Sequence, residues 1–193
     1  MNLYSDDIAY LKLGSDRQQA AFITVIELDL FSVLADYDPL LTGTLPLGLD
    51  LPDTDLDVIC QVEDFAEFSV VMRAVYGEYD EFEYAESLHG GIPSAACSFR
   101  YNKFRVKIVG QPIPTREQDA YRRTTAAARL LRMAGETALE EVRRLRATGM
   151  QTNLAVSAYF RLEGEPERAL AELANASAEE LMDIITQSAH RRN

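Results

Sequence analysis

The stretch GTLPLGLDLPDTDLDVIC, residues 43–60, carries the pattern on which the interpretation of this chain depends. It opens with a Gly43-Thr44 turn and, after ten intervening residues, reaches Asp55 and Asp57. Because side chains alternate along a strand, an Asp-x-Asp pair places two carboxylates on one face, with Cα atoms about 6.6 Å apart, a span that divalent cations bridge. A small turn offers backbone N–H groups and a hydroxyl to a phosphate. Together they suit metal-assisted transfer to or from a nucleoside triphosphate.

Length and composition exclude several classes of protein. The 193 residues suffice for one domain with a core and a helical extension, but not for two large domains. The first ten residues lack the basic residues of a secretory leader, and no run reaches the roughly 18 apolar residues of a membrane span, so we expect a cytoplasmic protein with no membrane partner. Cys60 and Cys97 lie in apolar, strand-like runs, which predicts buried thiols and no disulfide.

Acidic charge is concentrated in the part of the chain that holds the motif. Residues 1–115 contain 7 Lys and Arg against 19 Asp and Glu, whereas residues 116–193 contain 12 of each kind. Proteins that bind duplex nucleic acid need several Lys or Arg on one face, so this balance argues against duplex nucleic acid as a partner. A small-molecule or metal-bridged substrate fits the charge better.

The spacing of apolar residues predicts an α+β fold for the first part of the chain. Asp16 is the expected N-cap of a helix over residues 17–26, and Asp64 is the expected N-cap of a helix over residues 65–76. Strands are predicted at residues 40–44, 55–62, 82–88, 94–101 and 105–109. This order of elements indicates a mixed β-sheet covered by helices.

The remainder of the chain is predicted to be helical. The proline-containing segment at residues 111–114 cannot continue a sheet ladder and so separates the two parts. Helices are expected at residues 116–133, 136–147, 153–162, 166–174 and 178–189. The sequence therefore predicts an α/β core at residues 1–115, followed by an all-helical C-terminal region at residues 116–193 that packs on this core.

Two plainer interpretations compete with a metal site at the aspartates. A lone Asp-x-Asp on a half-exposed strand is most often a solvated face. An EF-hand calcium loop could use Asp53, Asp55 and Asp57, but it requires Gly at its sixth position, where Val58 stands, and Glu at its twelfth, where Asp64 stands. The Gly-Thr turn upstream favours a phosphate and metal site over both.

The turn, the spacing and the Asp-x-Asp strand resemble the nucleotidyltransferase superfamily, which has the polymerase-β-like fold. Four runs are more closely similar to DUF4269, a family of uncharacterised bacterial proteins: LTGTLPLGLD at residues 41–50, TDLDVIC at 54–60, GIP at 91–93 and GQPIP at 110–114. The similarity extends over about residues 11–149. It implies a mixed-sheet nucleotidyltransferase core with helices, followed by the helical region.

The resemblance also implies roles for individual residues. Asp55 and Asp57 would be the catalytic pair and would hold two Mg²⁺ ions, one carried in on the triphosphate and one that lowers the pKa of the attacking hydroxyl. Gly43 and Thr44 would approach the β- and γ-phosphates. Arg122, near the start of the first C-terminal helix, is a candidate for phosphate or base contact, with a solvated helix face as the alternative.

Lys107 departs from the superfamily pattern. It stands on the strand at residues 105–109, where a third carboxylate is expected. An ammonium within about 4 Å of two carboxylates is attracted by about 4 kcal/mol per pair at an effective dielectric of 20, so it competes with a metal ion. Either Lys107 occupies the position of the second metal ion as a fixed cation and contacts the nucleotide, or the site has lost catalysis. A register shifted by one residue would turn Lys107 away and leave Glu83 or Glu86 to supply a carboxylate.

Two hypotheses of function follow. In the first, the protein binds a nucleoside triphosphate with Mg²⁺ and transfers a nucleotidyl group to a small molecule or a protein. In the second, it is a catalytically inactive nucleotide-binding or regulatory module in which Lys107 replaces the third carboxylate. The segment His89-Gly90-Gly91 is either a hairpin turn or a loop that closes over a phosphate. The acceptor, the base preference and homo-oligomer formation are left open by the sequence.

Overall fold

A computed structural model describes residues 7–190 and contains a mixed five-stranded sheet with helices, which confirms the predicted α+β class. The strands are β1 Leu40–Thr42, β2 Leu56–Gln61, β3 Glu83–His89, β4 Ile92–Tyr101 and β5 Phe104–Gln111. The helices are α1 Asp16–Glu27, α2 Leu30–Val33, α3 Phe65–Tyr76, α4 Asp119–Ala134, α5 Glu136–Ala147, α6 Thr152–Phe160, α7 Pro166–Glu172 and α8 Ala178–His190. Single turns of 3₁₀ helix lie at Ala35–Tyr37, Leu45–Leu47, Thr115–Glu117 and Leu173–Asn175, and a longer one at Ile8–Leu13.

The sheet has the strand order β1-β2-β5-β4-β3, in which only β2 and β5 run parallel. Strands β3 and β4 are joined by Gly90-Gly91, whose φ angles of +58° and +84° match the left-handed backbone of a tight hairpin turn. His89 pairs with Ile92 across this turn, so the hairpin interpretation of the His-Gly-Gly segment is confirmed. Asn102, with φ of +51°, turns β4 into β5 in the same way.

Helix starts follow local chemistry, with one correction to the predicted caps. Asp64 accepts hydrogen bonds from the backbone N–H groups of Ala66 and Glu67, so the predicted start of α3 is confirmed. The prediction of Asp16 as the cap of α1 was wrong. Ser15 is the N-cap and forms a reciprocal capping box with Gln18, because the hydroxyl and the amide satisfy each other's backbone N–H groups.

The first hydrophobic cluster lies between one face of the sheet and helices α1 and α3. Alternate residues of the strands point into it, as the two-residue period of a strand requires. Both cysteines lie in this cluster as buried free thiols, which confirms their prediction. The strand residues in the cluster include Leu41, Leu56, Val58, Cys60, Ala95, Cys97, Phe99, Val106 and Ile108.

The opposite face of the sheet carries a row of polar side chains at the level of Asp57. The register places Thr42, Asp57, Lys107, Ser98 and Glu83 side by side across all five strands, and we call this set the polar row. Neighbouring residues in a ladder share a face, so the five side chains project to the same side of the sheet. The face opposite the first cluster is thus the one on which the aspartates open.

A second hydrophobic cluster forms among the helices after the sheet, in α4, α5, α6, α7 and α8. Leu47 and Leu49, which follow the Gly-Thr turn in sequence, insert into this second cluster, whereas Leu45 packs in the first. The predicted division at residues 115/116 stays a prediction. Leu47 and Leu49 come before this boundary in sequence, yet they pack among the helices that follow it. Within residues 7–190, no helix combines the length and the apolar content needed to cross a bilayer.

Side chains from both parts hold the segment between the turn and β2. The amide of Gln18 in α1 donates to the Leu45 carbonyl at 3.0 Å. From α5, Arg143 Nε donates to the Gly48 carbonyl at 2.8 Å and Arg146 Nε donates to the Leu49 carbonyl at 3.4 Å. Buried or half-buried loop carbonyls need such partners, and the two arginines supply them. These hydrogen bonds therefore connect the segment both to α1, which packs on the sheet, and to α5 of the helical region.

We predict that Leu49→Ala lowers the free energy of unfolding by about 2–4 kcal/mol, because Leu49 is 1% exposed and its truncation leaves a cavity in the second cluster. The matched control is Leu88→Ala, since Leu88 is 73% exposed, and we expect a change below about 0.5 kcal/mol. Urea denaturation followed by circular dichroism measures both. Equal effects of the two substitutions would contradict the packing of Leu49.

Candidate functional site

The Gly-Thr turn lies directly against the second aspartate. Strand β1 ends at Thr42, whose backbone pairs with Asp57 of β2, and Gly43 then turns with φ of +83°. A Cβ atom at residue 43 would lie 2.6 Å from Oδ2 of Asp57, a distance that real Cβ contacts do not reach. The left-handed backbone favours glycine here, and a larger residue would also displace the Asp57 carboxylate. This contact brings together two parts of the motif that ten residues separate in sequence.

The aspartate pair stands at the N-terminal end of β2. Asp55 precedes the first strand residue and Asp57 is the second, and both side chains are partly buried. The entry into the strand is held by Arg17 of α1, whose Nη2 donates to the Thr54 carbonyl at 2.8 Å. The guanidinium carbon of Arg17 also lies 4.5 Å from the centre of the Phe104 ring at the start of β5. Arg17 thus anchors the backbone immediately before Asp55.

The environment of Asp57 disfavours its charge. Burial of the carboxyl and repulsion from Asp55 raise the pKa of Asp57 to about 6, while the positive charge of Lys107 acts in the opposite direction. A raised carboxyl pKa beside a second carboxylate is typical of a site that receives a cation.

Lys107 lies directly beside Asp57 on the neighbouring parallel strand, and its side chain is exposed. The register therefore excludes the alternative in which Lys107 points to the other face. Its charge lowers the pKa of Asp57, but within residues 7–190 no carboxylate oxygen lies within 4.0 Å of the ammonium. The lysine faces the site without being locked to the aspartate.

Neither glutamate of β3 is placed to supply a third carboxylate. Glu83 belongs to the polar row but lies three strands from Asp57, about 14 Å at the usual strand spacing, and it accepts from Arg105 at 3.1 Å. Glu86 pairs with buried Ala95 and so lies on the opposite face. Across the described part of the chain there is no group of three or more His, Cys, Asp or Glu side chains able to hold a metal ion.

The hydrogen-bonding groups of the turn are engaged by the C-terminal helices. The backbone N–H of Gly43 donates to Thr124 Oγ1 of α4 at 3.0 Å. The hydroxyls of Thr44 and of Thr152, the first residue of α6, share a hydrogen bond of 2.7 Å. The sequence offers no signal for either partner, because 81 and 108 residues separate the bonded groups.

Arg122, proposed from the sequence as a nucleotide contact, is placed in the helical region. Its Nε donates to the Ala171 carbonyl at the end of α7 at 3.3 Å. Within residues 7–190, no hydrogen bond or ion pair connects this guanidinium to the aspartates or to the Gly-Thr turn. The structure thus brings together Gly43, Thr44, Asp57 and Lys107 with Asp55, while Arg122 has a structural partner of its own.

The donor set fits one divalent cation better than two. Mg²⁺ in proteins is held by one or two carboxylates, with water and substrate phosphate oxygens filling the remaining positions. Asp55 and Asp57 satisfy this requirement, and the raised pKa of Asp57 indicates a carboxyl group that a cation would stabilise in its charged form. A second fully protein-held ion would need further carboxylates.

Comparison with known proteins supports the resemblance noted from the motif. Residues 24–173 match the family described as "Domain of unknown function (DUF4269)", which is more than three quarters of the chain. A search of curated proteins finds no match.

Solved structures of the Cid1 RNA terminal uridylyl transferase share the fold. One, on the structural plasticity of Cid1, has a TM-score of 0.53 with 17% identity over 77% of this chain and 48% of Cid1. Another, of the Cid1 poly(U) polymerase with Mg 3′-dATP bound, has a TM-score of 0.51 with 14% identity over 81% of this chain and 48% of the other. This chain spans about half the length of these proteins. It belongs to the DUF4269 family, and it has the nucleotidyltransferase fold.

Proposed function

We propose that this protein binds a nucleoside triphosphate with Mg²⁺ and transfers a nucleotidyl group to a small molecule or a protein. The observation that carries the proposal is the contact between Gly43 and Asp57. It places a small turn of the kind that binds phosphate directly beside a pair of carboxylates on one face of the sheet. The fold supports it as well, because one structure of similar fold holds Mg 3′-dATP.

Each residue of the site has a proposed task. Asp55 and Asp57 would hold the Mg²⁺ that accompanies the triphosphate, and the ion would neutralise phosphate charge and orient the reacting phosphorus. Gly43 and Thr44 would donate to phosphate oxygens. The ammonium of Lys107, exposed beside Asp57, would contribute a positive charge to the phosphate chain at the place of a third carboxylate. Arg122 stays a candidate for nucleotide contact, and it would have to leave Ala171 to reach a ligand.

A second function is favoured by the position of Lys107. General-base activation of an acceptor hydroxyl requires a basic group or a second metal ion near the attacking oxygen. Lys107 stands in register with Asp57, and the described residues form no group of three or more metal-binding side chains, so the ligands for a second metal ion are missing from this part of the chain. In this alternative the protein is a catalytically inactive nucleotide-binding or regulatory module in which Lys107 replaces the third carboxylate.

The charge of the protein bears on the acceptor. The formal net charge is −12 at pH 7, and the acids are concentrated in the segment that forms the sheet. A long polyanion would be repelled by this surface, because nucleic-acid affinity rests on neutralising phosphates with Lys and Arg. We therefore propose a small-molecule or protein acceptor for this chain rather than an RNA acceptor such as that of Cid1.

Titration with ATP and GTP, with and without Mg²⁺, tests the proposal by calorimetry. We expect Mg²⁺-dependent binding, and we expect Asp55→Asn to weaken it by at least about tenfold because a carboxylate ligand is lost. Asp53→Asn is the matched control, since it removes the same charge two residues upstream and should leave binding unchanged. Absence of nucleotide binding in the wild type, in Lys107→Glu and in variants of Thr124 and Thr152 that release the turn would contradict both functions.

Lys107→Glu separates the active from the inactive alternative. If the wild type releases pyrophosphate from a nucleoside triphosphate when an acceptor is present, the active function stands. If the wild type shows neither binding nor release while Lys107→Glu acquires Mg²⁺-dependent binding, Lys107 blocks the metal site and the inactive function stands. The two proteins are compared under the same conditions, with pyrophosphate release measured by a coupled assay.

The raised pKa of Asp57 makes folding stability depend on pH in metal-free buffer. Because the folded-state pKa of about 6 lies above the ordinary Asp value of about 3.9, the folded protein holds the proton more tightly, and this stabilisation is lost as pH rises from about 4 through 6. We expect Asp57→Asn to be more stable than the wild type by about 1–3 kcal/mol at pH 8, with the gain approaching zero near pH 4. Urea unfolding at several pH values measures it. A gain that is independent of pH would contradict the shift.

A further inference from the structure

We propose that the C-terminal helices autoinhibit the phosphate-binding turn, because Thr124 of α4 and Thr152 of α6 occupy the groups of Gly43 and Thr44 that a phosphate would use. This inference rests on the proposed function and concerns the regulation of the same site. Nucleotide binding would then require the turn to exchange its partners in the helical region for phosphate oxygens.

The hydrogen-bond directions at Thr124 are settled by its two partners. The Thr124 hydroxyl donates its single proton to the Ala120 carbonyl at 2.8 Å, as threonines within helices often do. It can therefore only accept from the Gly43 N–H, at 3.0 Å. A backbone N–H has one hydrogen, so Gly43 has no donor left for a phosphate while this bond exists. Thr124 is buried, which excludes water as a ready substitute partner.

The second contact acts on the hydroxyl of the turn. Thr44 Oγ1 and Thr152 Oγ1 are 2.7 Å apart, a short distance for two hydroxyls. Thr152 is the first residue of α6, so the contact ties the turn to the start of that helix. Two different helices thus hold the two consecutive residues of the turn: Thr124 takes up the Gly43 N–H that a phosphate would need, and Thr152 engages the Thr44 hydroxyl as donor or acceptor.

The turn cannot leave these partners independently of the helices. Leu47 and Leu49 are buried in the second cluster, and Arg143 and Arg146 of α5 hold the carbonyls of Gly48 and Leu49. A shift of the turn toward a phosphate therefore has to be accompanied by repacking of helices α4 to α6. A ligand that prefers the shifted arrangement changes the population of helix packings, and mutations that favour this arrangement must tighten ligand binding by the same linkage.

The decisive variant is Thr124→Val, which keeps the shape of the side chain and removes the acceptor for the Gly43 N–H. We expect it to bind Mg²⁺–ATP about three- to tenfold more tightly than the wild type, because one neutral hydrogen bond no longer has to be exchanged. Thr124→Ser retains the hydroxyl and should bind as the wild type does. Calorimetry on the full chain gives the affinities.

An affinity of Thr124→Val for Mg²⁺–ATP that is unchanged or lower than that of the wild type overturns the proposal. If Thr124→Val binds Mg²⁺–ATP as the wild type does, Thr124 does not inhibit the turn, and if it binds more weakly while Thr124→Ser keeps wild-type affinity, Thr124 positions the turn for nucleotide. Thr152→Val provides an independent test should Thr124→Val fail to fold, with the same expectation of tighter binding. Its control is Thr186→Val, since the hydroxyl of Thr186 is exposed and donates within α8 to the Met182 carbonyl.

These outcomes separate the inference from the proposed function. If the wild type binds Mg²⁺–ATP and neither Thr124→Val nor Thr152→Val binds it more tightly, autoinhibition is overturned and the proposed function stands. Binding that arises only in these variants supports autoinhibition directly. Absence of binding in the wild type and in both variants overturns the inference together with the proposed function.

Discussion

The segment between Gly43 and β2 is the constraint on which the rest of the structure depends, because it packs into two hydrophobic clusters at once. Leu45 lies in the cluster under the sheet, whereas Leu47 and Leu49 lie among the C-terminal helices. Burial of a leucine side chain contributes about 1.5–3 kcal/mol, so three such contacts hold the helical region against the sheet. The same segment begins with the turn at the site, and the geometry of the site is therefore set by packing between the two clusters.

The charges at the site reduce the stability that packing provides, because a carboxylate is held partly buried beside another carboxylate. The close approach of Gly43 and the position at the start of β2 place Asp57 beside Asp55 in a partly buried setting, where its pKa rises to about 6. Lys107 relieves part of this cost from the neighbouring strand, yet it remains exposed and outside ion-pair distance. A raised carboxyl pKa beside a second carboxylate is the kind of perturbation that clusters at functional sites, and it is the physical basis of the proposed cation site.

Local sequence signals predicted much of the fold. Helix α3 begins and ends where Asp64 and its apolar periodicity indicate, and the two tight turns at Gly90-Gly91 and Asn102-Lys103 define the β3–β4–β5 meander. The cap of α1 was missed because Ser15 and Asp16 are both good cap residues, and the reciprocal bond to Gln18 selects between them. Such choices depend on side-chain geometry within a single turn, which residue type alone does not specify.

The sequence by itself determined the α+β class, the DUF4269 resemblance and the pairing of a Gly-Thr turn with Asp55 and Asp57, since these follow from periodicity and from residue types at short spacing. Only the tertiary structure decided that Lys107 stands in register with Asp57, because strand register between β2 and β5 is set by packing across about fifty residues of chain. It also decided that Thr124 and Thr152 hold the turn. Contacts between helices and a loop far apart in sequence arise from how the two clusters pack, and no local pattern encodes them.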